Sequence, residues 1–213
     1  MQTRETDKAG QLDAEELLFL ALRSMEKDED DEAIQYLKRG LALEPESGIL
    51  HHLLGAMYAQ LGMVDRGIDE LKLATHFNPQ LHMARFQLGL LHFTATDLAA
   101  ADDAWRPLGE LAEDHALRLF RDGLLQMGQD RFADAVATLR RGLDANNDYE
   151  SLNADMEMMV EMCEKVVAEE NTGQSAQPVS VPPVPAAPPP APGRHVLLSG
   201  YQGAGDTRKP LKS

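Results

Sequence analysis

Residues 48–81 read GILHHLLGAMYAQLGMVDRGIDELKLATHFNPQL, and this stretch decides the fold because its pattern recurs. Blocks in phase with it begin 34 residues apart, at Ala14, Gly48, His82 and Ala116. The eighth position of each block is small: Ala21, Gly55, Gly89, Gly123. The twentieth is small again: Ala33, Gly67, Ala101, Ala135. The twenty-fourth is large: Leu37, Leu71, Trp105, Leu139. Two antiparallel helices that pack closely need small residues where backbones approach and large ones to fill the space between. Pro45 and Pro79 close the first two blocks, where a missing N–H and a rigid ring stop a helix. A fixed period of this length marks a helical repeat array, which offers a grooved surface to another chain.

The second block carries His51-x2-Leu54-Gly55-x2-Tyr58, then Gly67-x3-Leu71, then Pro79. The first carries Leu17-x2-Leu20-Ala21-x2-Ser24, Ala33-x3-Leu37 and Pro45. In these features the chain resembles the tetratricopeptide repeat (TPR) family, whose pattern is W-x2-L-G-x2-Y, A-x3-F and P. The resemblance covers residues 14–149 and implies an all-α, right-handed α-solenoid of four helix-turn-helix repeats, 14–47, 48–81, 82–115 and 116–149. Four pairs and a capping helix predict nine helices. Such arrays serve many partners, so the resemblance bears on fold far more than on function.

Two positions depart from the pattern. Pro107 falls inside the second helix of the third block, which predicts a break near Arg106 and a separate turn or short helix over Leu108–Glu113. Asp122 stands where the other blocks have Leu20, Leu54 and Leu88, and Arg118 lies one turn before it as an ion-pair partner.

The remaining segments follow from composition. Residues 1–12 are polar, with no apolar stretch of signal-peptide type, and read as disordered. Asp13 and Glu16 form a capping-box pair at the start of the array, 13–149. Over 150–170, Leu152, Met156, Met159, Cys163 and Val166 recur at helical spacing, as in a helix that caps the last repeat. Met158 and Met162, on its other side, suggest a homodimer contact. Residues 171–193 are a Pro/Ala-rich linker holding most of the chain's 12 prolines, a composition that favours polyproline II. Residues 194–213 then turn apolar and basic. Val196, Leu197, Leu198 and Tyr201 read as a docking peptide, for this chain's own groove, for a neighbour's by tail exchange, or for another protein.

The net charge is −15; the segment from 171 onward carries four basic residues and one acidic, leaving −18 on residues 1–170. So acidic a body argues against nucleic acid and against anionic membrane surfaces as partners. No segment approaches the roughly 20 apolar residues that span a bilayer. The single cysteine, Cys163, cannot form an internal disulfide and suits a reducing, cytoplasmic setting. No metal-binding, phosphate-cradling or nucleophile motif is present, so no cofactor, no metal and no catalysis are expected.

The resemblance implies that repeat positions 2, 5, 9 and 12 line the concave groove. Here they are apolar at 14 of 16 places. The candidates are Leu18, Leu22 and Met25; Ile49 and His52; Met83, Phe86, Leu90 and Phe93; and Leu117, Phe120, Leu124 and Met127. Family members that clamp the C-terminal carboxylates of heat-shock chaperones use Lys and Asn at positions 5 and 9. This chain has Leu18 and Leu22, His52 and Ala56, and Phe86 and Leu90 there, so that ligand class is not expected. The sequence thus points to an adaptor or scaffold that takes an apolar peptide or helix of another protein. Similarity to small acidic bacterial chaperones of secretion translocators offers a second reading, in which the groove shields a hydrophobic client. Self-assembly through tail and groove is a third.

Overall fold

The computed structural model describes residues 12–171. Among them are nine α-helices and one short 3-10 helix, with no strand. In order these are α1 Ala14–Met25, α2 Asp30–Leu43, α3 Gly48–Gln60, α4 Val64–Phe77, α5 His82–Thr94 and α6 Leu98–Trp105, then the 3-10 helix Arg106–Glu110, then α7 Ala116–Met127, α8 Phe132–Ala145 and α9 Ser151–Asn171. The odd-numbered helices α1 to α7 begin at the four block starts. The tail residues Val196, Leu197, Leu198 and Tyr201, like residues 1–11, lie outside the described residues.

Local chemistry sets the helix ends. At α1 the Glu16 N–H donates to Asp13 Oδ1 at 2.8 Å and the Asp13 N–H donates to Glu16 Oε2 at 2.9 Å, a complete capping box. All four intra-repeat turns use one device at position 15 of the block, a residue with positive φ: Asp28 at 59°, Gly62 at 74°, Thr96 at 63° and Asp130 at 59°. The next amide folds back onto the helix. Glu29 N–H donates to the Ser24 carbonyl at 2.9 Å, Met63 to Tyr58 at 2.8 Å, Asp97 to His92 at 3.0 Å and Arg131 to Gln126 at 3.0 Å. Only Gly62 takes this conformation without a side-chain penalty.

Small and large positions meet as the period requires. A Cβ on Gly55 would lie 2.9 Å from Leu71 Cγ and 3.1 Å from the Gly67 carbonyl oxygen. At Gly123 the obstacle is Leu139, 2.6 Å away. Pro107 ends α6 at Trp105, and the chain continues as the 3-10 helix Arg106–Glu110, two residues earlier than the segment expected from sequence. Asp122 is held by Arg121 at 2.8 Å and by Arg118 at 4.0 Å.

Two main cores result. One joins α1, α2 and α3. The other runs from α5 to α9 and includes Trp105, Phe120, Leu152, Met156, Met159 and Cys163. The apolar stripe of α9 thus closes the last repeat, and Met158 and Met162 are half-buried against the same core rather than standing on a free opposite face.

Candidate protein-binding surface

Of the 13 groove candidates, Leu18, Leu22, Ile49 and Leu90 keep part of their surface. Leu18, Leu22 and Ile49 each pack at the margin of the α1–α3 core. The other nine, Met25, His52, Met83, Phe86, Phe93, Leu117, Phe120, Leu124 and Met127, are buried. Nine of the 13 side chains expected to line the groove are thus interior.

The reason is geometric. Phe86 stacks on Trp105 with ring centroids 5.9 Å apart and meets Phe120 at 6.2 Å; Phe93 meets Trp105 at 5.9 Å. Trp105 Nε1 donates to the Phe86 carbonyl at 2.8 Å, which fixes the indole. Phe120 occupies space that Gly142 leaves free, since a Cβ there would lie 2.6 Å from its ring. Aromatic rings at positions 5 and 12 are drawn inward wherever small residues on the facing helix leave room.

His52 is also structural. Its Nε2 donates to Gln87 Oε1 at 2.8 Å, joining α3 to α5. Burial lowers its pKa from the ordinary 6.5 to about 4, and the bond to Gln87 offsets only part of that, so the ring is neutral at pH 7. The neighbouring His51 points elsewhere. Its Nδ1 lies 2.6 Å from Glu70 Oε2, its Nε2 2.9 Å from the Pro45 carbonyl, and its ring stacks on Phe77 at 5.5 Å. It ties α3 to α4 and to the end of the first repeat.

Sequence reasoning missed Phe19, which is 60% exposed beside Leu18 on α1. Its counterpart one repeat later is Leu53, fully buried. Leu53 packs in the core that joins α1, α2 and α3, whereas only Leu12 and Asp13 precede α1 among the described residues. That first-repeat position was the available signal. Further exposed apolar side chains, Leu61, Met63 and Val64, surround the α3–α4 turn.

The described residues contain no group of three or more His, Cys, Asp or Glu able to hold a metal, and no helix long and apolar enough to cross a membrane. The Cys163 thiol is pushed up to about 11 by burial and then by Glu164, which keeps it protonated.

No protein-family model matches the sequence, and no curated protein does. Solved structures do. MamA is similar over 62% of this chain and 77% of its own, at 23% identity and TM-score 0.54. Cut9, in the Cut9–Hcn1 hetero-tetramer of the APC/C, is similar over 76% of this chain at 15% identity and TM-score 0.65, and this chain spans about a third (32%) of that one. A tetratricopeptide repeat protein of Parabacteroides merdae is similar over 81% of this chain and 69% of its own, at 15% identity and TM-score 0.59. With four in-phase helix pairs and these neighbours, the chain has the fold of a tetratricopeptide-type repeat protein.

Proposed function

We propose that this chain is a non-catalytic protein-interaction scaffold that takes an apolar segment at its N-terminal end. The observation that carries this reading is the surface formed by Leu18, Leu22 and Ile49 with the exposed Phe19, on a repeat whose own core is complete. A ligand burying a side chain such as Phe19 would gain about 1.5–3 kcal/mol before ordering costs.

The resting occupant in this reading is the chain's own segment His195–Tyr201, which must leave before a client binds. Three considerations support that choice. The segment is apolar, and it lies beyond a proline-rich stretch of about 20 residues, which in polyproline II spans roughly 60 Å. About five helix layers at some 10 Å each come to roughly 50 Å, within that reach. Arg208, Lys209 and Lys212 follow it, opposite in sign to the −18 of residues 1–170 within the net charge of −15.

Truncation after Glu170 tests both parts. Binding of an apolar-surface dye should rise, and a synthetic His195–Tyr201 peptide added back should suppress it. Suppression should fail in Phe19→Ser with Leu22→Ser. Unchanged dye binding on truncation would remove the tail from this surface; a double variant that still takes the peptide would remove the surface itself.

A further inference from the structure

We infer that Arg85, one turn after His82 on α5, receives a single carboxylate from an otherwise apolar peptide segment of a protein partner, an inference that rests on the protein-binding reading above. The third repeat breaks its own pattern twice on one turn of α5. At position 1 the other repeats have Ala14, Gly48 and Ala116, where the third has His82. At position 4 they have Leu17, His51 and Leu119, where the third has Arg85.

The second repeat shows what a polar residue at position 4 needs. There His51 meets the carboxylate of Glu70 at position 23. The third repeat has Ala104 at position 23, so the acid is missing. Among the described residues Arg85, like Arg39, Arg66 and Arg141, forms no ion pair, whereas Arg118, Arg121, Arg131 and Arg140 each hold a carboxylate; Arg39 and Arg66 lie over tyrosine rings instead. Arg85 Nε and His82 Nδ1 are buried and lack a hydrogen-bond partner. His115 caps α7 next to them, its Nδ1 accepting from the Leu117 N–H at 3.2 Å.

His82 is lowered by burial first and then by neighbouring charge, and Arg85 is lowered by burial, so Arg85 is the cation of the group. An unpaired, partly buried cation opposes packing and solvation alike, and a repeat that keeps one against its own pattern marks a site of use. A single guanidinium fork suits one carboxylate. A polyanion would meet the repulsion of the acidic body. These are repeat positions 1, 4 and 34, away from positions 5 and 9 of the chaperone-tail clamp.

The test uses the full chain and paired 12-residue peptides, apolar but for one central Glu or, in the control, Gln. The Glu peptides should bind about tenfold more tightly. The preference should vanish in Arg85→Gln and in Ala104→Glu, which supplies an internal carboxylate, and should survive Arg140→Gln. In parallel, citrate should shift the ring resonances of His82 and His115 in the native chain and not in Arg85→Gln. Equal binding of Glu and Gln peptides, or a preference that persists in Arg85→Gln, overturns the inference and leaves the scaffold reading standing. If no peptide binds, the scaffold reading fails; a citrate response then assigns the cluster to a small anion, and silence there too removes the site, and either result overturns the partner carboxylate.

Discussion

In the second repeat Leu71 fills position 24, and a Cβ on the facing Gly55 would lie 2.9 Å from it; in the third repeat Trp105 fills the same position, and a Cβ on Gly89 would lie 2.1 Å from its Nε1. The frame is shared and the consequences differ. With Leu71, α4 runs 14 residues; beyond Trp105 α6 stops after 8 residues, at the approach to Pro107. With Trp105, Phe86 and Phe93 turn inward to the indole and the core becomes continuous through α7 to α9. One enlarged side chain thus decides which neighbouring residues are interior, a matter that positions in a period do not settle.

The sharpest way to break this comparison is to fill both small positions. Gly89→Ala should destabilise the array at or beyond the top of the 1–3 kcal/mol range usual for overpacking, because its obstacle is a rigid ring pinned to the Phe86 carbonyl. Gly55→Ala should cost less, since its nearest obstacles, Leu71 Cγ at 2.9 Å and the Gly67 carbonyl oxygen at 3.1 Å, stand farther off than the indole does from Gly89. Urea titrations of the two variants measure the difference. Equal losses would mean that Trp105 moves freely and does not organise the third repeat.

The second and third repeats are also joined by a titratable group. His52 of α3 is bonded to Gln87 of α5, and its pKa falls from 6.5 to about 4 on folding. A lowered histidine pKa means that the unfolded chain binds the proton more readily. Stability from this group is complete above pH 6.5 and is lost as pH falls toward 4, at a limit of about 3 kcal/mol. His82 and His92, lowered as well, act with the same sign. Unfolding titrations between pH 7 and pH 4 should show this slope, and His52→Gln should flatten most of it. A slope unaffected by that change would place the acid sensitivity elsewhere.

Position 4 offers a smaller contrast. Glu70→Gln in the second repeat should cost about 1–2 kcal/mol, because it weakens the bond to a buried His51. Ala104→Glu in the third should be neutral or stabilising by up to about 1 kcal/mol, because a carboxylate there meets Arg85, which lacks one. Melting curves for both decide it. Loss of stability in Ala104→Glu would show that the third repeat has no room or need for an acid.

How far the sequence could be read follows from which positions are unambiguous. Gly55, Gly67, Gly123 and Leu139 announce helix contacts because only small and large residues alternate there, so the helices and their pairing were legible. The left-handed turn position was not, since Asp28, Thr96 and Asp130 do not advertise positive φ as Gly62 does. The groove was half legible. A solenoid helix buries two faces, and apolar residues at Phe86 or Phe120 are compatible with either. Only the facing Gly142 and Trp105, distant in sequence, say which face wins. The Arg85 site was invisible for a related reason: Arg85 looks ordinary until the residue across from it, Ala104, is compared with Glu70.

The smallest expected effect on stability belongs to the first repeat and sharpens the same lesson about neighbours. Phe19 and Leu53 occupy position 6 of consecutive repeats, one 60% exposed and the other fully buried. Leu53→Ser should cost about 2–5 kcal/mol through lost burial and a cavity. In the chain truncated after Glu170, Phe19→Ser should stay within about 0.5 kcal/mol of its parent, as surface changes do. If Phe19 serves binding, the same variant should still lose affinity for an apolar peptide, including the chain's own His195–Tyr201. A fluorescence titration of that peptide, run beside the melting curve, separates the two roles. Phe19→Ser that melts early in the truncated chain would show that Phe19 is already covered there as part of the fold, and the position would then be core in the first two repeats alike.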